Sequence, residues 1–330
     1  MEVFGGNRAV DTKLRVQGLE AWIHARPHQG DDGGGDIHYL SSCASGRIAR
    51  VLLADISGHG AAVDELAGKL RALMRRYVNY LNQSSFVEKL NREFMRLTDC
   101  GIFATGLVAT FWAPTSFLRL SNAGHPKAMH RSASSGRWVL LAPPPTTDEG
   151  LANVPLGIAP DTRYDQMGIK LNAGDLLIFY TDSLVEAFDA NRRLLGEAGL
   201  LDLVQSLPTE DPEALMKGLV DGVSSFAGQR PFDDDVTIMV LRATGAPYEA
   251  PSTSENLTAL ARFGRMAIDR LRGRLDALPW PEINLANLLG PLIPALNRRV
   301  GGESDDSVGA GGGGASGPRT GGGGGAGTGT

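Results

Sequence analysis

Strand-like and helix-like stretches do not alternate along this chain. They come in groups, and the grouping limits the folds open to it. Residues 47–55 form an apolar run with β-branched and small residues that breaks at Ser57-Gly58-His59-Gly60, which reads as a strand ending in a turn. From Ala61 the period lengthens: Leu66, Leu70, Leu73, Met74, Tyr77 and Leu81 return every three or four residues, the mark of one apolar helix face. A second helix is predicted from Ser85, because Ser85 and Glu88 have capping-box spacing and Phe86, Leu90, Phe94 and Leu97 continue the stripe. After Gly101 the signals turn to strands. Residues 103–112, 117–121, 127–130 and 138–141 read as a meander, and 164–171 with 176–181 as a pair joined through Asn172-Ala173-Gly174-Asp175. A helix near 213–226 precedes a last strand at 236–241. Grouped helices and hairpin-linked strands predict an α+β fold with a largely antiparallel sheet and exclude a doubly wound parallel one.

Composition narrows the function classes. With 32 Lys and Arg against 37 Asp and Glu, the net charge is −5, the wrong sign for a protein that coats nucleic acid. Neither a leader-like N-terminus nor a run of about 18 apolar residues occurs, so a soluble, cytoplasmic protein is expected. Two cysteines, Cys43 and Cys100, are too few for a disulfide scaffold or a cysteine-rich zinc site. Fifteen of the 43 glycines fall after Val300, and a segment so poor in bulky side chains is expected to stay disordered. A further composition change at Ala246-Pro247, followed by Pro251-Ser252-Thr253-Ser254, divides the chain into a catalytic body over 1–245, a linker and helical appendage over 246–300, and a Gly-rich tail over 301–330.

The chemistry-bearing residues are carboxylates at predicted strand ends. Asp36 follows three glycines, Asp55 closes a strand before a Gly-rich turn, Asp182 closes another, and Asp233-Asp234-Asp235 precede the last strand. Singly, each has the bland reading of a turn or cap residue. Together, oxygen donors delivered from separate strand ends suit hard divalent cations such as Mg²⁺ or Mn²⁺.

These residues also resemble a known family. Gly34-Gly35-Asp36, Asp55-Ile56-Ser57-Gly58-His59-Gly60, Asn122-Ala123-Gly124-His125-Pro126, Pro155-Leu156-Gly157-Ile158, the stretch from Gly174-Asp175 to Thr181-Asp182, and Asp234-Asp235-Val236-Thr237 occur in the order seen in metal-dependent protein phosphatases related to protein phosphatase 2C. They look most like the bacterial branch of sporulation stage II and stress-response phosphatases, and the resemblance covers residues 20–243. It implies a two-sheet β-sandwich flanked by helices, with two Mn²⁺ or Mg²⁺ ions at one end. It further implies that Asp55 bridges the ions, that the Ile56 carbonyl ligates one, and that Asp182 and Asp234 hold the other. Asp36 would contribute directly or through water, with Asp235 as the alternative to Asp234. The implied reaction is hydrolysis of a phosphoprotein serine or threonine monoester by a metal-activated water, and the implied substrate an anti-sigma-factor antagonist. A catalytically silent scaffold of the same fold is the competing reading.

Three departures from the family pattern stand out. Ser183 replaces the Gly of Thr-Asp-Gly, which would strain the loop if that position needs a positive φ. Position 31, where eukaryotic relatives carry a phosphate-binding Arg, is Asp, leaving Arg26 as the nearest substitute. Residues 30–35 form a longer approach to the first motif than is usual. Among the histidines, His59 beside the expected metals is a candidate proton donor to the leaving group, whereas His125 reads as a packing residue. Finally, residues 255–299 carry a helical stripe of Leu257, Leu260, Gly264, Ala267, Ile268, Leu271, Leu275 and Leu278, with seven arginines against four acidic residues. Such a face needs a cover, expected from the body, a second copy or a regulator rather than a membrane.

Overall fold

The computed structural model describes residues 2–249 except 29–31, 44, 59–60, 78–79, 81, 99–100 and 143–150. His59, Cys100, Asp31, the 255–299 stripe and the Gly-rich tail lie outside the described residues.

Twelve strands and four α-helices are described. One sheet contains β1 (Glu2–Gly6), β4 (Asp36–Ser42), β5 (Ile48–Ile56), β6 (Ala104–Trp112), β7 (Phe117–Ala123) and β10 (Met167–Lys170), in the order β1-β4-β5-β6-β7-β10. The other contains β2 (Val10–Val16), β3 (Leu19–Arg26), β8 (Met129–Arg131), β9 (Trp138–Leu140), β11 (Leu176–Tyr180) and β12 (Val236–Ala243), in the order β2-β3-β12-β11-β8-β9. All the ladders are antiparallel. Inner faces meet through Ile23, Val51, Leu53, Phe111, Phe179 and Met239. Outside the first sheet lie α1 (Ala61–Arg76) and α2 (Gln83–Leu97), whose Leu66, Leu70, Phe86 and Leu90 pack on Leu52, Ala54 and Val108. Outside the second lie α3 (Gly196–Gln205) and α4 (Pro212–Phe226), whose Leu200, Leu215 and Val223 pack on Trp22, Ile178 and Val240. The result is a helix–sheet–sheet–helix sandwich in which each sheet buries both faces. Burial follows position: β5, covered on both sides, is buried at all but Asp55, whereas edge strand β2 alternates and turns Asp11, Lys13 and Arg15 to solvent.

The expected α+β class and two-sheet sandwich are what the molecule has, but strand partners differ from the sequence expectation at two places. The expected meander breaks after β7: β6 and β7 stay in the first sheet, while β8 and β9 join the second. Likewise 164–171 and 176–181 are not a pair, because β10 lies beside β7 and β11 lies between β8 and β12. Turn residues announce a reversal; which sheet receives the next strand depends on the whole core. The second helix also begins earlier than Ser85, since the Asn82 side chain accepts from the Ser85 amide at 2.8 Å and acts as the cap.

Between β7 and β8 His125 joins the sheets. Its Nε2 donates to the Tyr180 carbonyl of β11 at 3.0 Å, leaving Nδ1 to accept from the Thr105 hydroxyl of β6 at 2.8 Å. The hydrogen-bonded packing role expected for His125 is thus the one it has. At the opposite end from Asp182, the chain leaving β12 runs under the sandwich: the Thr244 amide donates to Gly18 O at 3.0 Å, and Tyr248 Oη donates to Ser45 O at 2.8 Å and accepts from Arg47 Nε at 3.2 Å.

Burial pushes the His125 imidazole down to about 4, the Tyr180 carbonyl only partly opposing it. The unfolded chain, with its ordinary histidine near 6.5, therefore takes up the proton first as pH falls, and this contribution to stability erodes between about 6.5 and about 4. Urea unfolding across that range should show the His125→Gln variant with a shallower acid-side loss than wild type. Parallel curves would show that the imidazole proton is not linked to folding.

Candidate metal and active site

Asp36, the first residue of β4, and Asp55, the last but one of β5, are register partners across the first sheet. In the second sheet the chain leaving β11 gives Thr181 and then Asp182, which opens a 3-10 turn over Asp182–Leu184. Asp234 and Asp235 lead into β12, the neighbour of β11. Asp36, Asp55, Asp182, Asp234 and Asp235 therefore gather at one end of the sandwich, two from one sheet and three from the other.

Buried Asp36 accepts a hydrogen bond from the Thr181 hydroxyl at 2.9 Å, and that hydroxyl accepts from the Thr237 amide at 2.9 Å. Asp235 is buried too, and backbone amides engage both its oxygens: His28 N at 2.6 Å and Asp36 N at 3.2 Å. Asp234 is exposed, and one oxygen accepts from the Asp235 amide at 2.8 Å. The adjacent aspartates therefore differ in availability: Asp235 binds the loop entering β4, and Asp234 faces outward. Two glycines allow the close approach. A Cβ on Gly34 would lie 2.0 Å from Asp235 Oδ2, and one on Gly35 would lie 2.8 Å from the Ile56 carbonyl oxygen and 3.1 Å from Asp55 Oδ1.

Charge is the dominant property of this end. Burial, then the charges of Asp55 and Asp235, push the Asp36 carboxyl well above the ordinary range, against the hydrogen bond from Thr181. Burial, then the charges of Asp182, Asp234, Asp235 and Glu186, push Asp55 up to about 7. Asp182 is raised by burial and Asp234, and Glu186 by burial, Asp182 and Asp234. Among the described residues no Lys, Arg or His forms an ion pair with any of these groups. Nor do three acidic, His or Cys groups among the described residues already converge as a finished metal shell. What fits a hard divalent cation is the donor chemistry: oxygen-only ligands, short of positive charge and lined by glycine.

Other expectations resolve differently. Arg26 is held by Asp11 and by the Val10 and Ala25 carbonyls, so its guanidinium is committed away from the carboxylates. Ser183 lies in the 3-10 turn and is not among the residues with positive φ, so the expected backbone strain is absent there. His24 pairs with Asp11, and His130 approaches Asp175. The sequence reading missed Glu186, four residues beyond Asp182, and the threonines at 181 and 237. Helical spacing from Asp182 was the available signal for Glu186; the threonines looked like ordinary strand formers.

This two-sheet, four-helix architecture is that of PP2C-type phosphatases. A structure of the PP2C phosphatase domain and a fragment of the regulatory domain of SpoIIE from Bacillus subtilis superposes with a TM-score of 0.57 at 17% identity, covering 69% of this chain and 64% of that one. RsbX, solved in complex with magnesium, gives 0.51 at 14% identity over 71% of this chain and 99% of its own. The RsbU and RsbW domains of a Mycobacterium tuberculosis protein give 0.55 at 21%, over 79% and 71%. The family model described as Stage II sporulation protein E (SpoIIE) matches residues 45–244, and the chain belongs to that family. Phosphoserine phosphatase RsbU of Bacillus subtilis is 23% identical over 206 residues, which are 62% of this chain and 58% of that protein.

The carboxylate repulsion has a measurable consequence. In EDTA at pH 8, where Asp55 is ionised against its neighbours, Asp55→Asn should melt at a higher temperature than wild type. The difference should shrink as pH falls from about 7 toward 4, where the folded carboxyl is already protonated and the unfolded one is protonating too. A lower melting temperature for the variant at pH 8 would mean that Asp55 has a stabilising partner.

Proposed function

We propose that the chain is a Mn²⁺- or Mg²⁺-dependent protein serine/threonine phosphatase that hydrolyses phosphoprotein monoesters in a bacterial signalling switch. The observation that carries this reading is the set of carboxylates from both sheets meeting at one end with no ion-pairing cation among the described residues. Asp55 would bridge two ions, the Ile56 carbonyl would serve one, and Asp182 and Asp234 the other, with Asp36 directly or through water. A bound pair of such ions supplies positive charge to a phosphate dianion and acidity to a water. The chain's part is to hold ligands and substrate in line. Asp235 keeps the loop before Asp36 closed through backbone amides, so Asp234 is the preferred ligand of the adjacent pair. Thr181 orients Asp36 and shares its charge.

The comparisons support the substrate class, since the RsbU relative is named a phosphoserine phosphatase. An anti-sigma-factor antagonist carrying phosphoserine or phosphothreonine is the partner we propose, with His59 as proton donor to the leaving oxygen. A cytoplasmic location accords with the absence, among the described residues, of any helix long and apolar enough to cross a membrane. The division near residue 245 and a dimer or regulator contact through 255–299 belong to the same proposal. The unstrained turn at Ser183 removes the feature that favoured a silent scaffold.

Purified protein should hydrolyse p-nitrophenyl phosphate when Mn²⁺ is added and stop with chelator. Asp55→Asn, Asp182→Asn and Asp234→Asn should each lower turnover by about a hundredfold or more, because each removes a charged ligand. Near-wild-type, metal-dependent turnover in folded Asp55→Asn would sink the reading.

Asp235→Asn separates the two adjacent aspartates. It should lower the melting temperature even in EDTA by weakening the charge-assisted bonds to the His28 and Asp36 amides, whereas Asp234→Asn should not. Equal melting temperatures for the two variants would place the loop-holding role elsewhere.

A further inference from the structure

Asn7 follows directly on β1, far from every site motif in sequence, yet it reaches the segment that carries Asp36. Its Nδ2 donates one hydrogen to the Gly34 carbonyl at 3.1 Å and the other to Asp64 Oδ1, in the first turn of α1, at 2.7 Å. In return the Gly34 amide donates to the Asn7 carbonyl at 2.9 Å. The side chain is almost fully buried, 5% exposed. A Cβ on Gly33 would lie 2.9 Å from Asn7 Nδ2 and 3.0 Å from Asp64 Oδ1, so these two side chains press on one side of the loop. Asp235 presses on the next residue, Gly34, and Gly35 accepts from the Ile56 amide at 3.1 Å. Three successive glycines immediately before Asp36 are thus packed by four segments: Asn7 after β1, α1, the approach to β12, and β5.

The geometry points to Asn7 as a positioning residue for divalent-cation binding: by holding Gly34 against α1 it sets Gly35 and Asp36, and through Gly35 the Ile56 carbonyl. Asparagine suits the place because its amide gives two donors to two acceptors that face each other across the loop. Aspartate could not donate to either, and alanine would leave the Gly34 carbonyl without its side-chain donor. Groups that hold metal ligands in place change metal affinity by about 10–100-fold when removed. The inference rests on the cation-dependent reading above and adds a residue to it without touching substrate.

The test is Mn²⁺ binding by isothermal titration calorimetry on the full chain, alongside p-nitrophenyl phosphate turnover as a function of Mn²⁺. Wild type should bind Mn²⁺. Asn7→Ala should weaken binding by about tenfold or more, and the Mn²⁺ concentration for half-maximal turnover should rise in step. Its kcat at saturating Mn²⁺ should stay within about twofold of wild type, as expected for a residue that orders ligands rather than reacting groups. Asp64→Ala, at an exposed position, removes only the second anchor and should weaken Mn²⁺ binding by a smaller factor of about three; it also guards against misfolding of the buried variant. Undiminished Mn²⁺ affinity in folded Asn7→Ala, or a loss of kcat with affinity intact, would overturn the inference while leaving the phosphatase reading standing. Absence of Mn²⁺ binding in wild type would overturn both.

Discussion

Like charge held at close quarters is the constraint around which this molecule is arranged. Asp36, Asp55, Asp182, Asp234 and Glu186 would disperse if left to their mutual repulsion, and three of the aspartates are also pushed toward neutrality by burial. Rigid supports hold them together. Two packed sheets deliver them from four strand ends, and a hydrophobic interface between the sheets opposes any separation that would relieve the charge. Local stability is given up at the site and recovered in the sandwich, a trade common where a fold must preorganise a binding centre.

Backbone contacts supply the finer control. Asp235 is a carboxylate used as a structural acceptor, fixing the chain on both sides of the loop, so adjacent residues of the same type carry different tasks. Buried Thr181 does the same for Asp36 with a neutral hydroxyl, which satisfies the carboxylate without cancelling the charge a cation would need. A lysine or arginine in either place would have neutralised the site and competed with any ion.

The sequence made much of this legible. Asp55 and Asp182 stand out because each ends an apolar strand, where a carboxylate has no packing role. Helices α1 and α2 were plain from their stripes. The passages to the other sheet after β7 and after β10 were not, since Gly124 and Gly174 signal reversals equally well for a neighbour strand or for the opposite sheet. Asp234 and Asp235 could not be ranked by spacing; the difference lies in where the fold brings the His28 and Asp36 amides. Asn7 was hidden for a related reason, because its partners lie 27 and 57 positions away and it belongs to no local pattern.

Residues 244–249 lie at the pole opposite the carboxylates. Tyr248 is tied to Ser45 and Arg47 beneath the sandwich, and the eight residues of β12 separate that anchor from Asp234 by about 26 Å at about 3.3 Å per residue. A segment beyond Glu249 would have to extend over at least about eight residues to reach the carboxylate end. Asp234 and Asp235 lead into the far end of β12, so the Tyr248 anchor and the carboxylates mark opposite ends of one straight rod.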